Sequence, residues 1–347
     1  MNASTLVRNA WYSAGMSTDF KVGQLQGMAI AKKPVVIWRT AAEEMVAFDD
    51  RCVHKRMPLS RGKLLENGTL QCAYHGFAYD STGKCVAIPS QLDLPIPSRA
   101  KLRPFPVIEQ DGVVWLWTGD PDRIGDTRPP RTPEIIDDAF ESYTFDAIQV
   151  PSNYRLLIEN LVDITHFYPL HDGNIGSLED SKIPVEYVEE TVDGNPSVKT
   201  IRRVQNYRQP PFMVEHFGYD VVDREHSHWM MNPGLTRVQM KLAPPGQLGS
   251  RHELGYLLHH MHTPIDESSH IWRRTITVRK GLPAPSISSD RAIAMRQAVA
   301  QQDVWALELQ QQMFDYDDDG YTEVHLRSDR AVLAVRKILE TLEQAEK

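Results

Sequence analysis

The sequence predicts an α+β chain in two parts, a small all-β domain over residues 1–120 and a mixed domain over residues 134–347. Three observations predict it. Short strand-like runs punctuated by turn residues fill the first third. Prolines at 121, 129, 130 and 133 among charged residues make 121–133 the natural linker. Beyond it, strand-like runs give way to long stretches of helical periodicity. At 347 residues both parts can bury a core without disulfides.

Composition narrows the function classes. The chain is 41% hydrophobic and 24% charged, the balance of a globular protein. Its net charge of −8 argues against nucleic acid or an anionic membrane as the main partner. No apolar run approaches the roughly 18 residues of a membrane span, and residues 1–12 lack the apolar core of a signal peptide, so the expected location is the cytoplasm. The three cysteines, Cys52, Cys72 and Cys85, are too few and too odd in number for a disulfide framework, which leaves thiols free to bind metal.

In the first domain, strands are expected at 34–39 and 45–48, split by a turn at 41–44, then at 69–71, 76–79 and 112–117. Asn67-Gly68, residues 80–83 and Asp111-Gly112 are the turns between them. In the second domain, residues 159–171 place Asp163, His166 and His171 in a short apolar segment. On an ideal helix Asp163 falls angularly between the two histidines, and Pro169 should kink or end that helix. Alone, the pattern suits a polar helix end as well as a metal site. A β-rich region follows, including 229–230, 236–242, 254–262 and 270–278. There His226 and His228 share a strand face, as do His260 and His262; such pairs are more often strand packing than metal sites. His260 and Trp229 are candidates for contacting a substrate. After Ser288-Ser289-Asp290 a long amphipathic helix is expected over 291–313. Asp303 lies on its apolar face with Val299, Ala300, Ala306 and Leu307, where a carboxylate needs either an ion pair or a metal. Glu308 takes a rim position. Residues 315–320 imitate the start of a calcium loop, but the twelfth position is Leu326, so a solvated turn is expected. Residues 327–346 read as a terminal packing helix.

The strongest motif is Cys52-Val53-His54, then 17 residues, then Cys72-Ala73-Tyr74-His75. Zinc fingers pair cysteine with cysteine and histidine with histidine. Here each loop supplies one of each. That suits a two-iron cluster with both thiolates on one iron and both imidazoles on the other, the Rieske arrangement. Two neutral imidazoles make the cluster less anionic and raise its potential. Cys85 falls outside the motif and reads as a core residue.

With this motif, Val7-Arg-Asn-Ala-Trp-Tyr12, residues 112–120 and residues 153–163, the sequence resembles the oxygenase component of Rieske non-haem iron oxygenases. It is most similar to the vanillate and dicamba O-demethylase group and related N-demethylases. It departs in the first cluster loop, where Cys52-Val53-His54-Lys55 stands in place of Cys-Pro-His-Arg; no ligand is lost. The resemblance implies a catalytic helix-grip domain, an antiparallel sheet around a long helix. It implies a [2Fe-2S] cluster on Cys52, His54, Cys72 and His75, and a mononuclear Fe(II) on His166, His171 and Asp303. Asn160, Asp163, His166 and His171 match the family's Asn-x-x-Asp-x-x-His-x4-His. It further implies a homotrimer in which the Asp163 carboxylate bridges a neighbouring cluster histidine, His75, to His166. The expected partners are O2, an aromatic substrate and an NAD(P)H-dependent reductase, with or without a ferredoxin. The expected reaction is oxidative O- or N-dealkylation. Ring cis-dihydroxylation is the alternative, and a bare electron carrier would need only the first domain.

Overall fold

The computed structural model describes residues 5–171, 174–281, 287, 289–314, 316 and 321–347. Ser288 and, apart from Tyr316, the acidic stretch 315–320 lie outside the described residues.

The first part is built from three small antiparallel sheets. Trp11–Met16, Val113–Trp117 and Val107–Gln110 form one, with Val113–Trp117 central and buried throughout. Gln26–Ile30, Lys33–Arg39 and Met45–Asp49 form a meander. Lys63–Leu64, Leu70–Gln71, Ala78–Tyr79 and Cys85–Ala87 form the third, which carries the cysteine–histidine loops. Cys85 is 1% exposed in the core between the last two sheets, as its motif-free position suggested.

The second part is an eight-stranded antiparallel sheet. Its order runs Phe140–Thr144, His270–Arg279, Leu254–Pro264, Leu235–Ala243, Val221–Asn232, Asn195–Arg208, Glu186–Val192, with Ile148–Val150 also paired to His270–Arg279. Six helices accompany it among the described residues: α1 (Tyr154–Val162), α2 (Phe167–His171), α3 (Leu178–Ser181), α4 (Pro211–Phe217), α5 (Asp290–Phe314) and α6 (Arg330–Gln344). Helix α1 lies across the four strands between 195 and 264, while α5 packs beside α1 and α2. Ser289 caps α5, its Oγ accepting from Ala292 N–H.

The two parts share core. Leu6, Val7, Tyr12 and Val114 pack with Tyr154, Ile158 and Val162 of α1 and with Val335 and Leu339 of α6. At the junction Asn232 Nδ2 donates to Trp11 O (3.1 Å), and a Cβ on Gly234 would meet that same carbonyl at 2.4 Å, so only glycine fits. The proline-rich segment 121–133 is tied down as well: Arg131 pairs with Asp111 (2.7 Å), and Gln110 Nε2 donates to Pro129 O (3.1 Å).

Helix α1 ends differently from the expectation. Asn153 starts it, accepting from Arg155 N–H, and it stops at Val162 because Asp163 turns extended (φ −89°, ψ 102°). Asp163 Oδ1 then accepts from the N–H (2.8 Å) and Oγ1 (2.6 Å) of Thr165, a local turn that competes with the helix. Pro169 sits in the first turn of α2, where its missing N–H costs nothing. The break therefore comes from Asp163, six residues earlier than the proline.

Candidate metal centres and substrate cavity

Two loops of the N-terminal domain fold alike. Cys52 N–H donates to Met57 O (2.9 Å) and Cys72 N–H to Phe77 O (2.8 Å), while Arg56 and Gly76 N–H donate back to the two cysteine carbonyls. Both return positions are left-handed, Arg56 at φ 59° and Gly76 at φ 72°. The loops bury both thiols, each 2% exposed, and hold both imidazoles at the surface with their Nδ1 atoms 3.2 Å apart. Burial pushes the Cys72 thiol up, while local desolvation and the neighbouring His75 and Lys55 pull the His54 ring down. Tyr79 Oη lies 3.2 Å from Cys52 Sγ. Sulfurs inside, imidazoles outside and a hydroxyl beside one sulfur fit a two-iron cluster with unlike ends.

In the second domain the turn at Asp163 brings His166 and His171 onto Asp303 of α5. The three candidate ligand atoms lie within 4.8 Å of one another, the one such group of three among the described residues. Asp303 Oδ1 is 3.1 Å from His171 Nε2 and 3.7 Å from His166 Nε2. Each ring is oriented by its other nitrogen. His166 Nδ1–H donates to the carbonyl of Asp163, and His171 Nδ1–H to Gln302 Oε1 (2.8 Å), so both Nε2 lone pairs face Asp303. Asn160 Nδ2 donates to Asp303 Oδ1 (3.1 Å). Burial pulls the His166 ring below the usual imidazole range; burial also opposes charge on His171, but Asp303 and Gln302 outweigh it and raise that ring. Two imidazoles and one carboxylate on one side, with the other positions open, are the donor set of a non-haem iron site.

The Asp163 carboxylate does not reach the His166 ring; the main-chain carbonyl of the same residue does. Its side chain and His166 instead line an open groove bordered by Glu323, His325, Asp329 and Arg336. Arg336 meets Glu159 on both carboxylate oxygens (2.9 and 2.7 Å) and braces α6 against α1.

On its other side Asp303 borders a partly open cavity, walled by Phe217, Leu258, Trp272 and Val299 among others. His260 lines it, accepting from Trp272 Nε1 (3.1 Å). Trp229 does not. Strand alternation turns it to the opposite sheet face, where it packs with Trp11 and Trp117 and donates to Ser197 Oγ (2.7 Å). His226 and His228 meet edge to face beside Phe167 with their Nε2 atoms 3.3 Å apart, and burial lowers both rings. They gather no third ligand among the described residues. The sequence reading missed Gln302, Tyr79 and two cavity arginines, Arg274 and Arg296. Gln302 was findable, because it neighbours Asp303 on α5; the others depend on strand register and loop closure.

Comparison with known proteins agrees with both centres. The Rieske [2Fe-2S] domain matches residues 10–98, and the vanillate O-demethylase oxygenase C-terminal domain matches residues 150–345. The oxygenase component of dicamba O-demethylase from Stenotrophomonas maltophilia is 28% identical over 99% of both chains. A putative toluene-4-sulfonate monooxygenase iron-sulfur subunit from Comamonas testosteroni is 32% identical over 70% of this chain and 68% of its own. Dicamba monooxygenase in its crystal structure with dicamba superposes with a TM-score of 0.86 over 99% of both chains at 27% identity. The two domains define the oxygenase component of a Rieske oxygenase, an enzyme with a [2Fe-2S] cluster and a mononuclear non-haem iron. Within that class the chain belongs to the vanillate O-demethylase oxygenase family.

Proposed function

We propose that this chain is a terminal oxygenase that removes a methyl or alkyl group from oxygen or nitrogen on an aromatic substrate. The observation that carries it is the convergence of His166, His171 and Asp303 at the end of a mostly apolar, ring-sized cavity. Cys52, Cys72, His54 and His75 would hold the cluster, and the three converging residues the Fe(II). When bound, the two groups supply stored electrons and activation of O2 for insertion of one oxygen atom into a C–H bond of the substrate. The chain's own residues do the rest. Gln302 and the Asp163 carbonyl fix the two rings, Asn160 holds the carboxylate, and the cavity walls exclude water and press the substrate against the triad. The hydroxylated methyl group then collapses to formaldehyde and the dealkylated product.

Electrons come from NAD(P)H through a partner reductase, with or without a ferredoxin, in the cytoplasm. Copies of the chain associate as a trimer, with His75 of the partner subunit docked in the groove that Asp163 and His166 line. Charge supports this docking: Lys55 and Arg56 edge the first cluster loop, whereas Asp163, Glu323 and Asp329 edge the groove. The oxygenase, a compatible reductase and NADH should be offered methoxy- and N-methyl aromatics. Formaldehyde released in step with NADH consumption and O2 uptake is expected, while a cis-diol without formaldehyde would favour ring dihydroxylation instead.

A further inference from the structure

The sheet reaches the end of α1 at two points. Helix α1 stops at Val162, and the last carbonyls of any helix have no partner within it. Here Leu161 O accepts from His228 Nδ1–H (2.5 Å) and Val162 O from Thr200 Oγ1 (3.0 Å). Thr200 and His228 are register partners on the strands Asn195–Arg208 and Val221–Asn232, so the two donors stand side by side on the face under α1. Both side chains are buried, as are Leu161 and Val162, which keeps water from competing for either carbonyl.

The His228 contact runs in one direction. Burial holds its ring down at about 3, so at neutral pH it carries a single N–H. The Leu161 carbonyl claims that hydrogen on Nδ1, which leaves Nε2 as an acceptor, and His226 Nε2–H donates to it across 3.3 Å. The pair packs on Phe167, the residue that follows His166. Two residues beyond Leu161 the chain turns extended at Asp163, whose carbonyl takes His166 Nδ1–H. Where the Leu161 and Val162 carbonyls stand therefore sets where the Asp163 carbonyl stands, and with it the direction in which His166 Nε2 faces Asp303. The His171 ring has a separate support, Gln302 of α5.

We propose that His228 and Thr200 are positioning residues for the mononuclear metal, acting through the last two carbonyls of α1 on the His166 ring. His226 fixes the tautomer that His228 needs for this. An apolar side chain at either position would leave a carbonyl unpaired away from water, and the turn at Asp163 would shift toward another donor. Neither residue belongs to the triad, so the effect falls on its geometry. The inference rests on the triad as the metal site.

The test is anaerobic Fe(II) titration of the cluster-containing protein against a calibrated chelator, with the visible spectrum of Co(II) in the same site as the reading of geometry. Two pairs of variants separate donation from shape. His228→Phe and Thr200→Val keep the bulk and lose the donor. His228→Asn and Thr200→Ser keep a donor, the Asn amide nitrogen standing where Nδ1 does. Each donor-free variant should bind Fe(II) more than about threefold more weakly than wild type, toward the roughly tenfold of contacts that orient a metal ligand, and should shift the Co(II) spectrum. The Asn and Ser variants should stay within about threefold. Affinity within that limit, or an unaltered Co(II) spectrum, in either donor-free variant would overturn the proposal; a purely structural role lowers the urea midpoint and leaves both readings alone. An Asn or Ser variant outside the limit would overturn it too, because shape and not donation would then be at work. Should His228→Phe lose its cluster absorption, the Thr200 pair decides by the same limits. Wild-type protein that takes up no Fe(II) beyond the cluster would break the triad reading and this one together, whereas wild-type binding matched by Thr200→Val breaks this one alone.

Discussion

Replacing Gln302 by leucine should loosen the mononuclear metal without touching the cluster. In the folded chain His171 is 1% exposed, and Gln302 Oε1 takes its Nδ1–H at 2.8 Å. Leucine fills similar space but accepts nothing, so a ring N–H is left unpaired away from water, at a cost of about 1–3 kcal/mol. Part of that cost vanishes if the ring turns, but a turned ring no longer aims Nε2 at Asp303. Either way the metal-bound state loses, by about 10- to 100-fold in affinity. The assay is anaerobic titration with Fe(II) against a calibrated chelator, repeated with Co(II) to read coordination from its visible spectrum. The cluster absorption serves as the internal control, because its four candidate ligands lie on loops 52–57 and 72–77. An affinity within twofold of wild type, with an unaltered Co(II) spectrum, would refute the orienting role assigned to Gln302.

Three further predictions address other parts of the molecule. His259, His262 and His270 are fully buried, and burial holds their rings down at about 3, 3 and 4. Between about pH 6 and 4 the unfolded chain binds protons that the folded chain refuses, so stability falls as pH falls, by about 1.4 kcal/mol per pH unit for each ring; urea unfolding at pH 7, 6 and 5 checks this, and a flat profile contradicts it. Tyr79→Phe removes the hydroxyl beside Cys52 Sγ and should lower the cluster potential, on the order of 60 mV for each ~1.4 kcal/mol of lost preference for the reduced state, measured by redox titration. Asp163→Asn should keep both metal centres yet lose turnover, because the groove loses the charge that receives His75 of the partner subunit; full activity with normal electron transfer would contradict that docking.

Much of this architecture was legible because its determinants are local. The C-x-H and C-x2-H loops announce their chemistry by residue type, and Asp303 by the apolar Ala300 and Leu307 on its helix face, both buried in the fold. What stayed hidden depends on tertiary context. The 14-residue strand Asn195–Arg208 carries Lys, Arg, Gln and Asn, because one face meets solvent and Asn206 at φ 52° sits in a bulge. Such composition looks like loop until its neighbours pair with it. Trp229 was misplaced for a related reason: one residue along a strand decides between the cavity face and the interface with Trp11. The cavity arginines are invisible in sequence because charged residues are read as surface. The helix break was legible in principle, since Asp163-x-Thr165 is a turn-forming pair, but Pro169 is the louder signal.

Iron content separates one metal centre from two. The loaded protein should hold about three iron atoms per chain, two in the cluster and one beside Asp303. The Asp303→Ala variant should hold about two, with an undiminished Rieske signal and no formaldehyde from any substrate. A variant that keeps its third iron, or loses the cluster signal along with it, would contradict the assignment of two separate centres and of Asp303 as the ligand that completes the second.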